Sequence, residues 1–361
     1  MTDFSFNPFS VRALTVASVL LAAAIGGFSM SAIAHSPEKT REPVAPLVLD
    51  AIGSFYVGGR VVSQTAGEVG IFGGGALTVD QMYVQYMVPH GATKPAIVMI
   101  HGGTLSGASY ETTPDGRMGW YEYFARKGYP SYVVDQIGRG RSGFNHALFN
   151  DVRNGVAAPE AQPNWRRVAN DIAWVRFRFG PRAGVPYGDT QFPTEAADEF
   201  SKQTVPDQSL SPAPQDDPNY AALTALSQRL KNTVLLGHSQ SGQFPFEAAL
   251  LDPTGIKALV AIEPGGCNST GYTDQQIDKL AKFPILIVFG DHLETPQKYG
   301  SSWMPYFQDC QAFVARVNRA NGTARMLHTT DLGIRGNSHM MMQDRNNLQI
   351  ADLILDWLSR Q

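Results

Sequence analysis

Thr233-Val234-Leu235-Leu236-Gly237-His238-Ser239-Gln240-Ser241-Gly242 is the stretch on which the reading of this chain turns. Its β-formers, Val234 to Leu236, feed straight into Gly237-His238-Ser239-Gln240-Ser241, and a helical run, Phe244 to Leu251, follows. Strand, tight turn with a central serine, then helix is the layout of a nucleophile elbow. The turn must be sharp so that the hydroxyl projects into a cleft while its neighbours offer backbone N–H groups. Small residues two before and two after the serine permit that strained backbone and close strand–helix packing. Gly237 fills the first position, but Ser241 fills the second, where glycine is usual. The pattern is imperfect, and an ordinary strand-to-helix turn with a polar cap competes with it.

The sequence on either side supplies the frame such an elbow needs. Segments 46–62 and 78–88 are apolar, β-branched and aromatic, and the turn Gly73-Gly74-Gly75 lies between them. They read as an opening antiparallel hairpin. Residues 95–100 and 131–134 are short continuous apolar runs, as expected of strands buried on both faces. Strands at 233–236, 258–262 and 284–289 follow, each trailed by a helix, with a last strand at 324–330 and a closing helix from Leu348 to Leu358. Alternating strands and helices predict an α/β fold with a mostly parallel, doubly wound sheet and an antiparallel start. Residues 144–218 break the rhythm: they are rich in Pro, Asn, Asp and Gln, with an amphipathic piece near Trp165–Phe179. A structureless loop that long is improbable in a compact domain. The segment therefore reads as a cap inserted over the C-terminal edge of the sheet, dividing the core into 35–143 and 219–361. Its aromatics (Trp165, Trp174, Phe177, Phe179, Tyr187 and Phe192) either line a pocket or, for more than half of them, pack the cap onto the core.

Composition narrows the function. Charged residues make up 17% of the chain and the formal net charge is −3, against roughly 25% charged in an average domain. With no basic stripe, nucleic acid and anionic membrane surfaces are not expected partners. Arg12, the apolar run Ala13–Phe28 and the small-residue pattern Ala32-Ile33-Ala34 match a secretory signal peptide over 1–34. The run is shorter than a spanning helix requires, so no membrane span is expected after cleavage near His35. In an exported protein the only two cysteines, Cys267 and Cys310, are expected to pair. They would tether the loop after 258–262 to a later helix. No metal-ligand spacing, dinucleotide fingerprint or phosphate loop occurs, so neither a metal nor an organic cofactor is expected.

Serine chemistry needs a base, an orienting acid and an oxyanion site. Of the eight histidines, elimination leaves His339, in the loop Gly336-Asn337-Ser338-His339 between the last strand and the last helix. His238 flanks the serine and would point away from it. A histidine base should impose a pH limb at roughly 6–7.5. Ile100-His101-Gly102-Gly103-Thr104 follows a buried strand, and Gly103 N–H with Gln240 N–H would form the oxyanion pair. Two carboxylates compete as the acid. Asp291, in Val288-Phe289-Gly290-Asp291, follows the strand that most often carries it. Glu263, in Ala261-Ile262-Glu263-Pro264-Gly265, follows the sixth strand, has a longer reach and is held by Pro264-Gly265. The turn Asp135–Ser142 reads as structural.

On the residues His101-Gly102 with Leu105, the Gly138–Ser142 turn, Gly237 to Gly242, Glu263-Pro264-Gly265 and Gly336 to Met340, the chain resembles an α/β-hydrolase. More narrowly, it resembles a small group of secreted bacterial carboxylesterases, over nearly all of the mature chain. In that group Ser also follows Gln in the elbow. The resemblance implies ester hydrolysis by a Ser–His–Glu triad, with the acid one strand earlier than usual: Ser239, His339 and Glu263. Members can carry adjacent cysteines in the oxyanion loop; here those positions are Gly103 and Thr104. The expected activity is that of an exported (periplasmic or secreted) serine carboxylesterase acting on a small-molecule ester. An amidase, lactonase or acyltransferase using the same residues is the nearest alternative. A non-catalytic exported binding protein on the same scaffold is the alternative of another class. Acyl length, alcohol group and oligomeric state leave no trace in the sequence.

Overall fold

The computed structural model describes residues 45–70, 73–208, 213–296 and 302–361. The expected signal peptide, 1–34, lies outside them. From Leu47 onward the chain builds one eight-stranded sheet in the order β1-β2-β4-β3-β5-β6-β7-β8. β1 (Leu49–Gln64) and β2 (Gly75–Pro89) form the antiparallel hairpin, and β2 also runs antiparallel to β4. β3 (Ala96–Ile100), β4 (Ser131–Asp135), β5 (Thr233–His238), β6 (Ile256–Ile262), β7 (Pro284–Phe289) and β8 (Thr323–His328) are mutually parallel.

Every residue of β3, β4 and β5 is buried, which is why those runs are continuously apolar rather than alternating. The period of two survives in where the side chains go. Ile97, Met99, Val234 and Leu236 join the core on one face with Trp120, Phe124 and Ile354; Val98, Ile100 and Leu235 join the other with Leu223 and Phe244. The helix Phe244–Leu251 follows the elbow, and the helix Asn347–Leu358 closes the chain.

The 144–218 segment holds three short helices, Ala147–Arg153, Asn170–Arg176 and Ala197–Lys202. The amphipathic piece expected near 165–179 is helical only over Asn170–Arg176, because Arg178 turns the backbone to a φ of 61°. Backbone hydrogen bonds join the segment to the loops beyond the strand ends: Val205 N to Thr104 O, Gln191 N to Gly336 O, and His339 N to Phe177 O. Phe177, Phe179, Phe192 and Phe200 pack into the core, with Phe179 and Phe192 stacked 3.5 Å apart. Trp165 instead packs with Phe144 and Phe149, and Tyr187 stacks on His292.

Candidate active site

Parallel strands bring their C-terminal loops to one edge of the sheet, and β5 and β6 pair from Thr233 with Ile256 to His238 with Ile262. Ser239 and Glu263 therefore leave adjacent strands at the same level. Both adopt left-handed backbone, with φ of 57° and 48°. A non-glycine residue there costs about 1–2 kcal/mol, so the surrounding packing must hold each turn. Gly237 makes the first possible: a Cβ there would lie 2.1 Å from the Ser241 carbonyl oxygen. Ser241 is buried, donates to Ile100 O at 2.9 Å and accepts from His238 N at 3.0 Å. The residue that spoils the sequence pattern thus fastens the elbow to β3.

Ser239 Oγ lies 2.8 Å from His339 Nε2, and His339 Nδ1 lies 3.1 Å from Glu263 Oε2. His339 is carried on a loop shaped by the buried Asp344, which accepts from Ser338 N, Ser338 Oγ and Asn337 Nδ2. Its ring packs against those of Trp303, 4.1 Å away, and Phe177, 5.3 Å away. His238 points away from the serine, as expected, and its Nε2 lies 2.9 Å from the His339 carbonyl.

Asp291 takes a different place. Its carboxylate accepts from His292 N and Gly336 N, at 2.7 and 3.0 Å. It therefore orders the stretch leading to His339. Asp189, Asp291 and His292 lie close enough to share an ion, although no ligand spacing in the sequence marks them.

The oxyanion loop comes from β3. Gly102 is demanded by close approach: a Cβ would lie 2.9 Å from both His238 Nδ1 and Ser239 Cβ. Gly103 and Gln240 line the same cavity as Ser239, about 280 Å³ in volume. The Gly103 N–H meets no acceptor among the described residues. Asp135 accepts from Gly107 N and Arg141 N, and Ser142 Oγ bonds the Asp135 carbonyl, so that turn is structural.

A solved bacterial esterase, determined at atomic resolution, superposes on this structure with a TM-score of 0.82. It is 45% identical in sequence, over 89% of this chain and 98% of its own. The chain belongs to this esterase's family, on the α/β-hydrolase fold. A curated fungal relative (Fungal sp., strain ATCC 74256), a probable secreted lipase called phiG, is 28% identical over 353 residues, 85% of this chain and 89% of its own length. No protein-family model matches.

Within this esterase frame, the 144–218 segment adds charged groups that sequence reasoning missed. Arg178, fully buried, donates from Nη2 to Glu263 Oε1 at 2.5 Å and from Nε to the Asp291 carbonyl at 2.7 Å. Asp207, also buried, accepts from Thr104 N at 3.0 Å and lies 3.3 Å from Arg139 Nε. Arg139 in turn donates to Gly102 O and to Gln240 Oε1, both at 2.8 Å. Burial alone would raise the Glu263 carboxyl, but the Arg178 guanidinium and the His339 ring outweigh it and hold it at about 2. Burial pushes the His339 imidazole down. Glu263 pulls it back up, while Arg178 and Arg176 add to the depression. Together they hold the imidazole below its ordinary value, at about 4.

The disulfide Cys267–Cys310 is present and ties the loop after Glu263 to the helix Met304–Arg319, which begins beside Trp303. No helix among the described residues is long and apolar enough to cross a membrane.

Proposed function

We propose that Ser239, His339 and Glu263 form the catalytic triad of an exported serine carboxylesterase of the secreted bacterial group. Carboxylic ester hydrolysis is the activity of this enzyme; the assignment of residues to its steps is the proposal. The observation that carries it is the 2.8 Å contact from Ser239 Oγ to a His339 ring whose far nitrogen meets a buried carboxylate.

Glu263 fixes the tautomer with the proton on Nδ1, leaving Nε2 free to take the Ser239 proton. Ser239 Oγ then attacks the ester carbonyl, whose oxygen gains negative charge. The Gly103 and Gln240 N–H groups receive that charge, each such donor being worth about 3–4 kcal/mol in the transition state. The His339 imidazolium gives its proton to the departing alcohol. Water, deprotonated by His339, hydrolyses the acyl-enzyme and restores Ser239. Arg178 compensates the Glu263 charge, so the acid stays ionised while fully buried. Residues 144–218 act as the cap over this site. The disulfide, the signal-like N-terminus and the relative described as secreted support export.

The test is a panel of para-nitrophenyl esters set against matched anilides and lactones. Rapid ester turnover that stops with a serine-directed phosphonate and with Ser239→Ala is the expected result. Faster amide or lactone turnover would move the enzyme to another acyl-transfer class, and turnover surviving Ser239→Ala would remove the triad.

A further inference from the structure

The cavity above Ser239 carries more positive charge than ester hydrolysis requires. Arg166, Arg167 and Arg176 all line it, against one carboxylate, Asp207. Asp207 is itself shared between Arg139 at 3.3 Å and Arg166 at 3.7 Å. Glu263, behind His339, is matched by Arg178.

Arg176 is the informative residue. Among the described residues no carboxylate lies within ion-pair distance of its guanidinium. The group is half-buried and lies over the Trp303 ring, 5.3 Å from its centre. Trp303 Nε1 donates to the Arg176 carbonyl at 2.7 Å, which fixes the backbone at that point. The same indole lies 4.1 Å from the His339 ring, so the cation stands one aromatic ring away from the reacting atoms. Its field reaches His339, where it opposes protonation. Arg176 ends the helix Asn170–Arg176. A helix C-terminus favours a cation, which accounts for an arginine at this position but not for its facing the cavity. Arg167, more exposed, is held by Thr204 Oγ1 at 2.7 Å and Ser201 O at 3.1 Å, also without a carboxylate.

A half-buried guanidinium beside the base of a neutral-ester hydrolase makes the imidazolium harder to form, and its contacts with Trp303 and the helix end give the reaction nothing in return. Set against a substrate carboxylate it gains a charge-assisted contact, and the bound anion offsets its effect on His339. Resting on the ester-hydrolase reading above, we infer that the preferred substrates are small esters bearing a carboxylate, anchored by Arg176, with Arg166 and Arg167 drawing the anion in. The cavity, about 280 Å³, is at the lower end of small-molecule pockets.

Two matched pairs test this: para-nitrophenyl pentanoate against para-nitrophenyl hemiglutarate, with the charge on the acyl side, and phenyl butyrate against meta-butyryloxybenzoate, with it on the alcohol side. The readout is the ratio of kcat/KM, anionic over neutral. In at least one pair the wild-type ratio should exceed about tenfold at low salt, the size of one charged hydrogen bond. It should fall as ionic strength rises from about 0.01 M to about 1 M. Arg176→Gln should collapse the ratio toward unity, and Arg176→Lys should restore part of it. The salt series needs no variant, so it decides the matter even if Arg176→Gln misfolds. Ratios at or below one in both pairs, or a preference indifferent to salt and to Arg176→Gln, overturn the inference while leaving the esterase reading intact. Failure to hydrolyse any of the four esters would instead strike the esterase reading and this inference with it.

Discussion

The strand-end loops and the 144–218 segment meet at one site but are placed there by different physics. Ser239, Glu263 and the Gly102–Gly103 turn leave β5, β6 and β3, whose parallel registry fixes their relative heights. Each sits within three residues of a strand whose C-terminal half is buried, so its position is set locally. Arg178, Asp207 and Phe177 arrive from an irregular segment, and the contacts that bring them to the site are with partners far away in sequence: Glu263, Thr104 and His339. The loops carry the groups assigned to bond making. The segment carries the groups that set the charge around them.

That contrast is broken most easily at the acid. Glu263→Gln should lower kcat by up to ~10⁴ with the fold intact by circular dichroism, because His339 loses its tautomer and counter-charge. Asp291→Asn should stay within about tenfold, or ~1.4 kcal/mol. The opposite pattern in steady-state kinetics would move the acid to the loop after β7.

Arg178→Gln probes the segment's share. It strips a buried carboxylate of its cation, which costs about 3–5 kcal/mol when one partner of a buried pair is removed. Denaturant unfolding reads that loss directly. A variant as stable as wild type would mean that the segment contributes packing rather than charge.

Breaking the disulfide tests how firmly the loop region itself is anchored. Cys310→Ser opens a loop whose ends are 43 residues apart, a change worth about 4 kcal/mol by loop-closure entropy. Thiol titration of the denatured, unreduced wild-type protein should find no free thiol. Full stability of the serine variant would show that Cys267 tethers nothing.

A smaller effect sharpens the comparison. Only neutral His339 can act as base, so activity is lost as pH falls through its folded pKa. Burial, then Arg178 and Arg176, hold that value to about 4. The kcat/KM of a neutral ester should therefore stay level well below the usual imidazole range of about 6.5 and drop only on approach to pH 4. Arg178→Gln should shift that limb upward, since removing the positive charge eases protonation. An unmoved limb would separate Arg178 from the base.

What was legible in the sequence follows the same division. β5 and its elbow announce themselves because apolar run, glycine and serine are contiguous, and the loop Gly336–His339 stands out because few histidines compete with it. The choice between Glu263 and Asp291 was less legible: both follow parallel strands, the longer reach of Glu263 and its Pro264-Gly265 turn favoured it, and the family resemblance added weight in the same direction. Arg178 and Arg139 left no signal. An arginine in an irregular stretch looks solvated, and a left-handed backbone at a non-glycine residue has no sequence mark. Asp207 is hidden for the same reason, since its partner Thr104 lies about a hundred residues earlier. Ser241, which looked like a defect in the elbow, is a buried hydrogen-bonding residue whose value appears only once β3 lies beside β5.

The central claim is that Ser239 becomes the acyl-enzyme. The most direct measurement is mass spectrometry of the protein after treatment with a serine-directed phosphonate. The account predicts complete loss of ester hydrolysis together with one adduct per chain, on Ser239 and absent in Ser239→Ala. Inactivation with the adduct on Ser241 or any other residue, or labelling of Ser239 with activity retained, would contradict it.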